Sequence, residues 1–304
     1  MSTVHGIDTA PFRHLYPFQP RFATVNGWRM HYLDEGQGPP VVMLHGNPTW
    51  SFYYRNLVLR LRGRFRTIVP DHIGCGLSAK PPAGRYPFRL RRRVDDFAAL
   101  MAHLNMDEKV FLVLHDWGGM IGMAWAVANP ERVAGLVVTN TAAFLPPAGK
   151  KLPLRLQVIR RGGPLGAAMV LGLNLFARPA LYMAPARPLP RDVRRGMIAP
   201  YGCPRHRLAT LWFVRDIPLA PGDPSFELVR SVERRIRRFS SLPALICWGM
   251  RDFVFDRDYL AEWRRRLPHA EVHRFENAGH YLLEDAGSRV AARIDDFLLT
   301  NGSE

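Results

Sequence analysis

The chain has 304 residues, 47% of them hydrophobic and 22% charged, which supplies a large core and excludes a disordered chain. No apolar run reaches the roughly 18 residues that suggest a membrane-spanning helix; the longest, 165–176, has 12 residues and contains Gly and Asn. The net charge is +16, yet no nucleic-acid motif accompanies it and aromatics do not interleave with the basic residues, so a nucleic-acid partner is not expected.

The first residues (MSTVHGIDTAPFRH) lack a basic start followed by an apolar stretch, so no secretory signal is expected. Cys75, Cys203 and Cys247 are odd in number and far apart. They form neither a metal spacing nor a disulfide framework, which fits a reducing compartment and a cytoplasmic protein.

Short apolar runs alternate with helical stretches. Segments 41–44 (VVML), 67–70 (TIVP), 110–114 (VFLVL), 135–139 (GLVVT) and 244–248 (ALICW) read as strands buried on both faces, and 271–275 (EVHRF) alternates like a further strand. Segments 93–105, 120–129 and 288–299 read as helices. The alternation predicts a mainly parallel, doubly wound α/β sheet. The pattern breaks after the sixth strand, which in the expected fold is 135–139. A stretch at 146–240, rich in Pro, Gly and Arg, has helical pieces and no strand, so it reads as a helical cap inserted into a core of 1–145 and 241–304. It carries 18 Lys/Arg against 5 Asp/Glu, most of the charge excess. A basic cap could meet acidic partner enzymes or an anionic membrane, or be only a solvated Arg-rich surface.

Reactive side chains in such sheets collect at the carboxyl ends of strands. Strand 110–114 runs into His115-Asp116-Trp117-Gly118-Gly119. A strand-to-helix turn of this kind pushes one side chain out of the sheet; here that residue is an Asp where a Ser is usual, and Leu114 stands where many such turns have Gly. A helix-capping Asp is the plainer alternative. After strand 41–44 comes His45-Gly46-Asn47-Pro48-Thr49-Trp50, a loop placed to face that turn and supply anion-stabilising donors. After the last strand comes Ala278-Gly279-His280, a loop that suits a general base. Asp252, after strand 244–248, is the candidate orienting acid, with Asp256 and Asp258 assigned to the next helix start.

The motifs HGNPTWSFYYR, HDWGG, WGMRD and AGHYLLED together resemble the α/β-hydrolase superfamily and, within it, the haloalkane dehalogenases. The resemblance covers about 20–145 and 240–300. It implies Asp116 as nucleophile, His280 as base, Asp252 as its acid, and Asn47 and Trp117 as donors to the leaving anion. Some dehalogenases place the acid after the strand at 135–139; that position here is Asn140, which favours Asp252. The cap segments NTAAF, GPLG, GLNLFAR and FVRDIPL resemble a dehalogenase-related subgroup that contains the β-lactone decarboxylases of bacterial long-chain olefin biosynthesis.

The resemblance therefore implies decarboxylation of a cis-3,4-dialkyl β-lactone to a cis-alkene, with haloalkane dehalogenation and epoxide hydrolysis as alternatives. Tyr182 and Tyr201 of the cap are the candidate acids for an epoxide. Leu165, Met169, Val170, Leu171, Leu173, Leu175, Phe176, Leu181 and Met183 are candidates for an apolar pocket, or for ordinary core. No metal or organic cofactor is implied. A catalytically silent binding protein on the same fold is the reading from a different class, and the intact triad argues against it.

Overall fold

The computed structural model describes residues 3–4 and 6–302. Eight strands form one sheet: β1 (Arg21–Val25), β2 (Trp28–Glu35), β3 (Pro40–Leu44), β4 (Arg66–Pro70), β5 (Val110–Asp116), β6 (Val133–Thr141), β7 (Ala244–Gly249) and β8 (Glu271–Phe275). Their spatial order is β8-β7-β6-β5-β3-β4-β2-β1. Strands β3 to β8 are parallel, while β1 and β2 form an antiparallel hairpin against β4.

The five apolar runs and the alternating segment 271–275 are β3 to β8, each matched or extended by a few residues. The β1–β2 hairpin was not foreseen. Its two-residue turn, Asn26-Gly27, has φ of 46° and 84°, and Asn-Gly is the commonest signal for such a turn.

Strand side chains alternate between two cores. In β5, Val110, Leu112 and Leu114 join one cluster, with α2 (Leu90–Leu104) and α3 (Trp117–Ala126) covering them. Phe111 and Val113 join the other, under α1 (Arg55–Leu61) and α12 (Gly287–Asn301). Burial on both faces explains why these strands read as unbroken apolar runs.

Between β6 and β7 lie α4 (Leu154–Arg161), α5 (Gly163–Ala167), α6 (Ala177–Met183), α7 (Arg191–Ile198), α8 (Leu208–Arg215) and α9 (Phe226–Arg235). After β7 come α10 (Arg257–Arg266) and α11 (Leu282–Asp285). The inserted helices have a small core of their own, with Leu156, Ile159, Val170, Leu211 and Val214. Polar ties fasten them to the sheet side: the Trp50 indole donates to the Gly196 carbonyl at 3.0 Å and the Tyr201 hydroxyl to the Thr49 carbonyl at 3.0 Å. Among the described residues no single helix is long and apolar enough to cross a membrane.

The strand order reverses between β3 and β5, because the chain steps from β3 to β4 on one side and returns to β5 on the other. The loops that follow β3 and β5 diverge there and leave a crevice. Helix α3 must start hard against β3 for this to work. A Cβ at Gly118 would lie 1.9 Å from the Leu44 carbonyl oxygen. That carbonyl belongs to a central strand and cannot retreat. Gly118→Ala is expected to cost at least about 3 kcal/mol, read as a lower urea midpoint with an unchanged slope.

Candidate active site

Asp116 ends β5 and precedes the first residue of α3, with φ 49° and ψ −125°. Non-Gly residues rarely adopt this backbone, and it persists only where surroundings enforce it. Here Thr141 Oγ1 donates to the Asp116 carbonyl, and α3 follows without a linker. The turn aims the carboxylate into the crevice.

The loop after β3 meets it there. The Asn47 backbone N–H donates to Asp116 Oδ1 at 2.6 Å. A Cβ at Gly46 would lie 1.9 Å from that same oxygen, so only glycine allows the approach. His45 sets the peptide: its Nδ1 contacts the Gly46 carbonyl at 2.8 Å and its Nε2 receives the His72 backbone N–H at 3.2 Å. Burial pushes His45 down to about 4, so it is a neutral ring at physiological pH.

His280 approaches Asp116 from the far side. Its Nε2 lies 3.7 Å from Asp116 Oδ2, and its Nδ1 lies 2.7 Å from Asp252 Oδ2. The other oxygen of Asp252 accepts the backbone N–H groups of Val254 (2.7 Å) and Phe255 (3.1 Å). Asp252 is thereby fixed and orients the ring. The 3.7 Å gap exceeds a hydrogen bond, so His280 does not hold Asp116 and leaves its outer oxygen available.

Burial raises the Asp116 carboxyl above the ordinary carboxylate range, against the pull of His280 and of the Asn47 and Trp117 N–H groups. Burial alone would lower His280. Asp252, through charge and hydrogen bond, and then Asp116 outweigh it and hold the imidazole above its usual value. The arrangement places an imidazole between two buried carboxylates, a set whose chemistry suits a nucleophile, a base and an orienting acid.

An apolar pocket opens above this group. Met120, Phe144, Leu156, Phe176, Val214 and Phe255 line it, and Asn47, Asp116, Trp117, Arg155, His280 and Tyr281 supply the polar groups. The Trp117 indole faces the pocket and makes no hydrogen bond to protein among the described residues, which leaves its N–H for a guest. The Asn47 side chain is differently placed from expectation: its Nδ2 donates to the Thr210 carbonyl of α8 at 3.1 Å. One amide hydrogen is thus used to hold the cap helix.

The structure corrects several expectations. Tyr182 is 66% exposed on the outer face of α6. Tyr201 is buried at the seam between cap and core, where its hydroxyl serves Thr49. Neither lines the pocket; the tyrosines that do are Tyr259 and Tyr281. Of the nine apolar cap candidates only Phe176 lines it. Val170 packs in the cap's own core and Leu181 in the main core, while Leu165, Leu173, Leu175 and Met183 are exposed.

Asn140 joins Gly249 in paired hydrogen bonds (3.0 and 2.8 Å), pinning β6 to β7 with no bond to His280. Asp256 caps α10, and both Asp256 and Asp258 pair with Lys150. Arg155 was missed: it lines the pocket without a carboxylate partner among the described residues, and burial lowers its pKa. No spacing in the sequence marks it. Among the described residues no group of His, Cys, Asp or Glu is placed to hold a metal ion.

Residues 39–287 match the alpha/beta hydrolase fold family. The chain is 49% identical over 285 residues to a cis-3-alkyl-4-alkyloxetan-2-one decarboxylase of Shewanella oneidensis, covering 93% of this chain and 89% of the other. It is 43% identical over 294 residues to a protein of the same name from Xanthomonas campestris, covering 94% and 98%. Among solved structures, the haloalkane dehalogenase DatA of Agrobacterium tumefaciens C58 superposes with a TM-score of 0.83 at 25% identity, covering 93% of this chain and 96% of that one. The chain belongs to the α/β-hydrolase fold family, in the group that holds these decarboxylases and dehalogenases.

Proposed function

We propose that the protein is an enzyme that converts a cis-3-alkyl-4-alkyl-oxetan-2-one into a cis-alkene and carbon dioxide. The observation that carries this is identity of 49% and 43%, over nearly the full length, with two proteins named for that substrate. The site suits it. An ionised carboxylate needs no base in order to attack carbon, and an oily pocket favours alkyl tails by about 25 cal/mol per Å² buried.

One route balances in atoms and stereochemistry. Asp116 Oδ2 bonds to ring C4 as the C4–O bond breaks, with inversion, and the ring oxygen leaves as a carboxylate on C3. The C3–carboxylate bond then breaks. Its electrons form the C3–C4 double bond, the Asp116–C4 bond opens and carbon dioxide departs. Inversion followed by anti fragmentation keeps the two chains cis. The Trp117 indole is placed to hold the transient carboxylate. No water enters, so apolar closure over His280 favours alkene over hydrolysis.

Dehalogenation is the second reading, favoured by the free indole N–H of Trp117, which would suit a halide. Epoxide hydrolysis loses its motive, since Tyr182 and Tyr201 do not reach the pocket. The deciding experiment offers a cis-dialkyl β-lactone, a long bromoalkane and an epoxide side by side. The expected result is alkene by gas chromatography, at rates well above bromide or diol release. Absence of alkene removes the proposal; comparable bromide release promotes the dehalogenase.

A further inference from the structure

Part of the basic surplus of the cap lines one groove. A surface groove between α6 and α7 is lined by Arg178, Arg191, Arg194 and Arg195, with Tyr182. None of these guanidiniums meets a carboxylate among the described residues; Arg194 reaches only the Tyr182 hydroxyl, at 3.3 Å. The one acid of α7, Asp192, is taken by His14 at 3.0 Å. Four unpaired arginines in one concavity repel each other in water and call for an anion.

The cap also carries exposed apolar side chains. Met183 ends α6, and its sulfur touches Arg155, which lines the reactive pocket. Leu154, next to Arg155, is 75% exposed, and Leu173, just before α6, is 65% exposed. Soluble proteins scatter such residues singly. Here exposed apolar side chains occur in the same helical insertion as the unpaired cations, the mixture that a membrane interface favours. The segments Gly163–Gly172 and Ala177–Met183 have membrane-like composition, but they bend by 73° at their junction, which suits lying along an interface.

We propose that this face of the cap docks on a bilayer containing anionic phospholipid. The groove arginines take lipid phosphates, and Leu154, Leu173 and Met183 enter the acyl boundary. A guest with two alkyl tails then passes between bilayer and pocket beside Arg155. Only that last step rests on the lactone reading; docking does not.

The test is flotation of the full chain with vesicles of phosphatidylcholine alone or mixed with phosphatidylglycerol. Each arginine near an anionic surface strengthens binding about fivefold. Changing all four to Glu (Arg178→Glu, Arg191→Glu, Arg194→Glu, Arg195→Glu) is expected to weaken binding to mixed vesicles by at least about a hundredfold. Salt at about 0.5 M should weaken the native protein similarly. Leu154→Ser with Leu173→Ser and Met183→Ser should lower binding at low salt as well. The four arginines lie outside the pocket, so the four-Glu variant's turnover of a water-soluble short-chain lactone or bromide should stay unchanged and report intact folding. The proposal is overturned if mixed vesicles bind no better than phosphatidylcholine, or if the four-Glu variant floats like the native chain. Salt-sensitive binding to an acidic polypeptide, with no binding to vesicles, would equally overturn it and point to a protein partner.

Discussion

Asp116→Asn is expected to lower alkene formation from a cis-dialkyl lactone by at least about a thousandfold while leaving the fold intact. Asn keeps the shape and tolerates positive φ better than Ala, which matters at φ 49°. It removes the buried charge whose desolvation raises the carboxyl's pKa. Thermal stability should therefore hold or rise as activity vanishes, a pairing that unfolding cannot produce. The pH profile gives a second check. Asp116 attacks only when ionised, so activity should fall on acidification, with the fall beginning above the ordinary carboxylate range because burial raises this group. Retained activity in Asp116→Asn, or an acid limb that persists unchanged in it, would show that another group does the chemistry.

Much of this was legible because the core obeys simple rules. Five strands buried on both faces become five apolar runs, and four strand ends become four motifs. The elbow was readable because a carboxylate followed by Gly118 and Gly119 implies a helix packed close behind it. The missed hairpin had a clear local signal in Asn26-Gly27, but its strands are partly exposed and mix polar with apolar residues, so no run stood out. The cap was harder for a different reason. Its helices are short and each has apolar residues facing its own core, the main core, the pocket or solvent. Periodicity cannot separate those four destinations, and only Phe176 of the nine candidates faces the guest. Tyr182 and Arg155 show the same limit: which way a cap residue turns is decided by contacts far off in sequence, such as Asn47 with Thr210.

His280→Phe, given a long bromoalkane, is expected to accumulate a covalent adduct on Asp116, seen as a mass increase equal to the alkyl group and mapped to the peptide holding residue 116. Attack requires only the carboxylate, so bromide leaves once. Release of the resulting ester requires a water activated by a base. His280 Nε2 lies 3.7 Å from Asp116 Oδ2, a separation that lets it reach a water beside the ester carbonyl. Asp252 at 2.7 Å from Nδ1 would stabilise the imidazolium that forms. Phenylalanine keeps the ring volume between Phe255 and Tyr281 but has no nitrogen. The expected kinetics are a single burst, close to one bromide per chain, followed by turnover reduced by at least about a hundredfold. Asp252→Ala should slow turnover less, since it removes the orienting acid and leaves the base. The lactone separates the two chemistries within the same variant. Its fragmentation releases Asp116 without water, so His280→Phe should lose far less alkene formation than bromide turnover. Equal loss of both would place His280 in the carbon–carbon cleavage itself and require a different path from lactone to alkene.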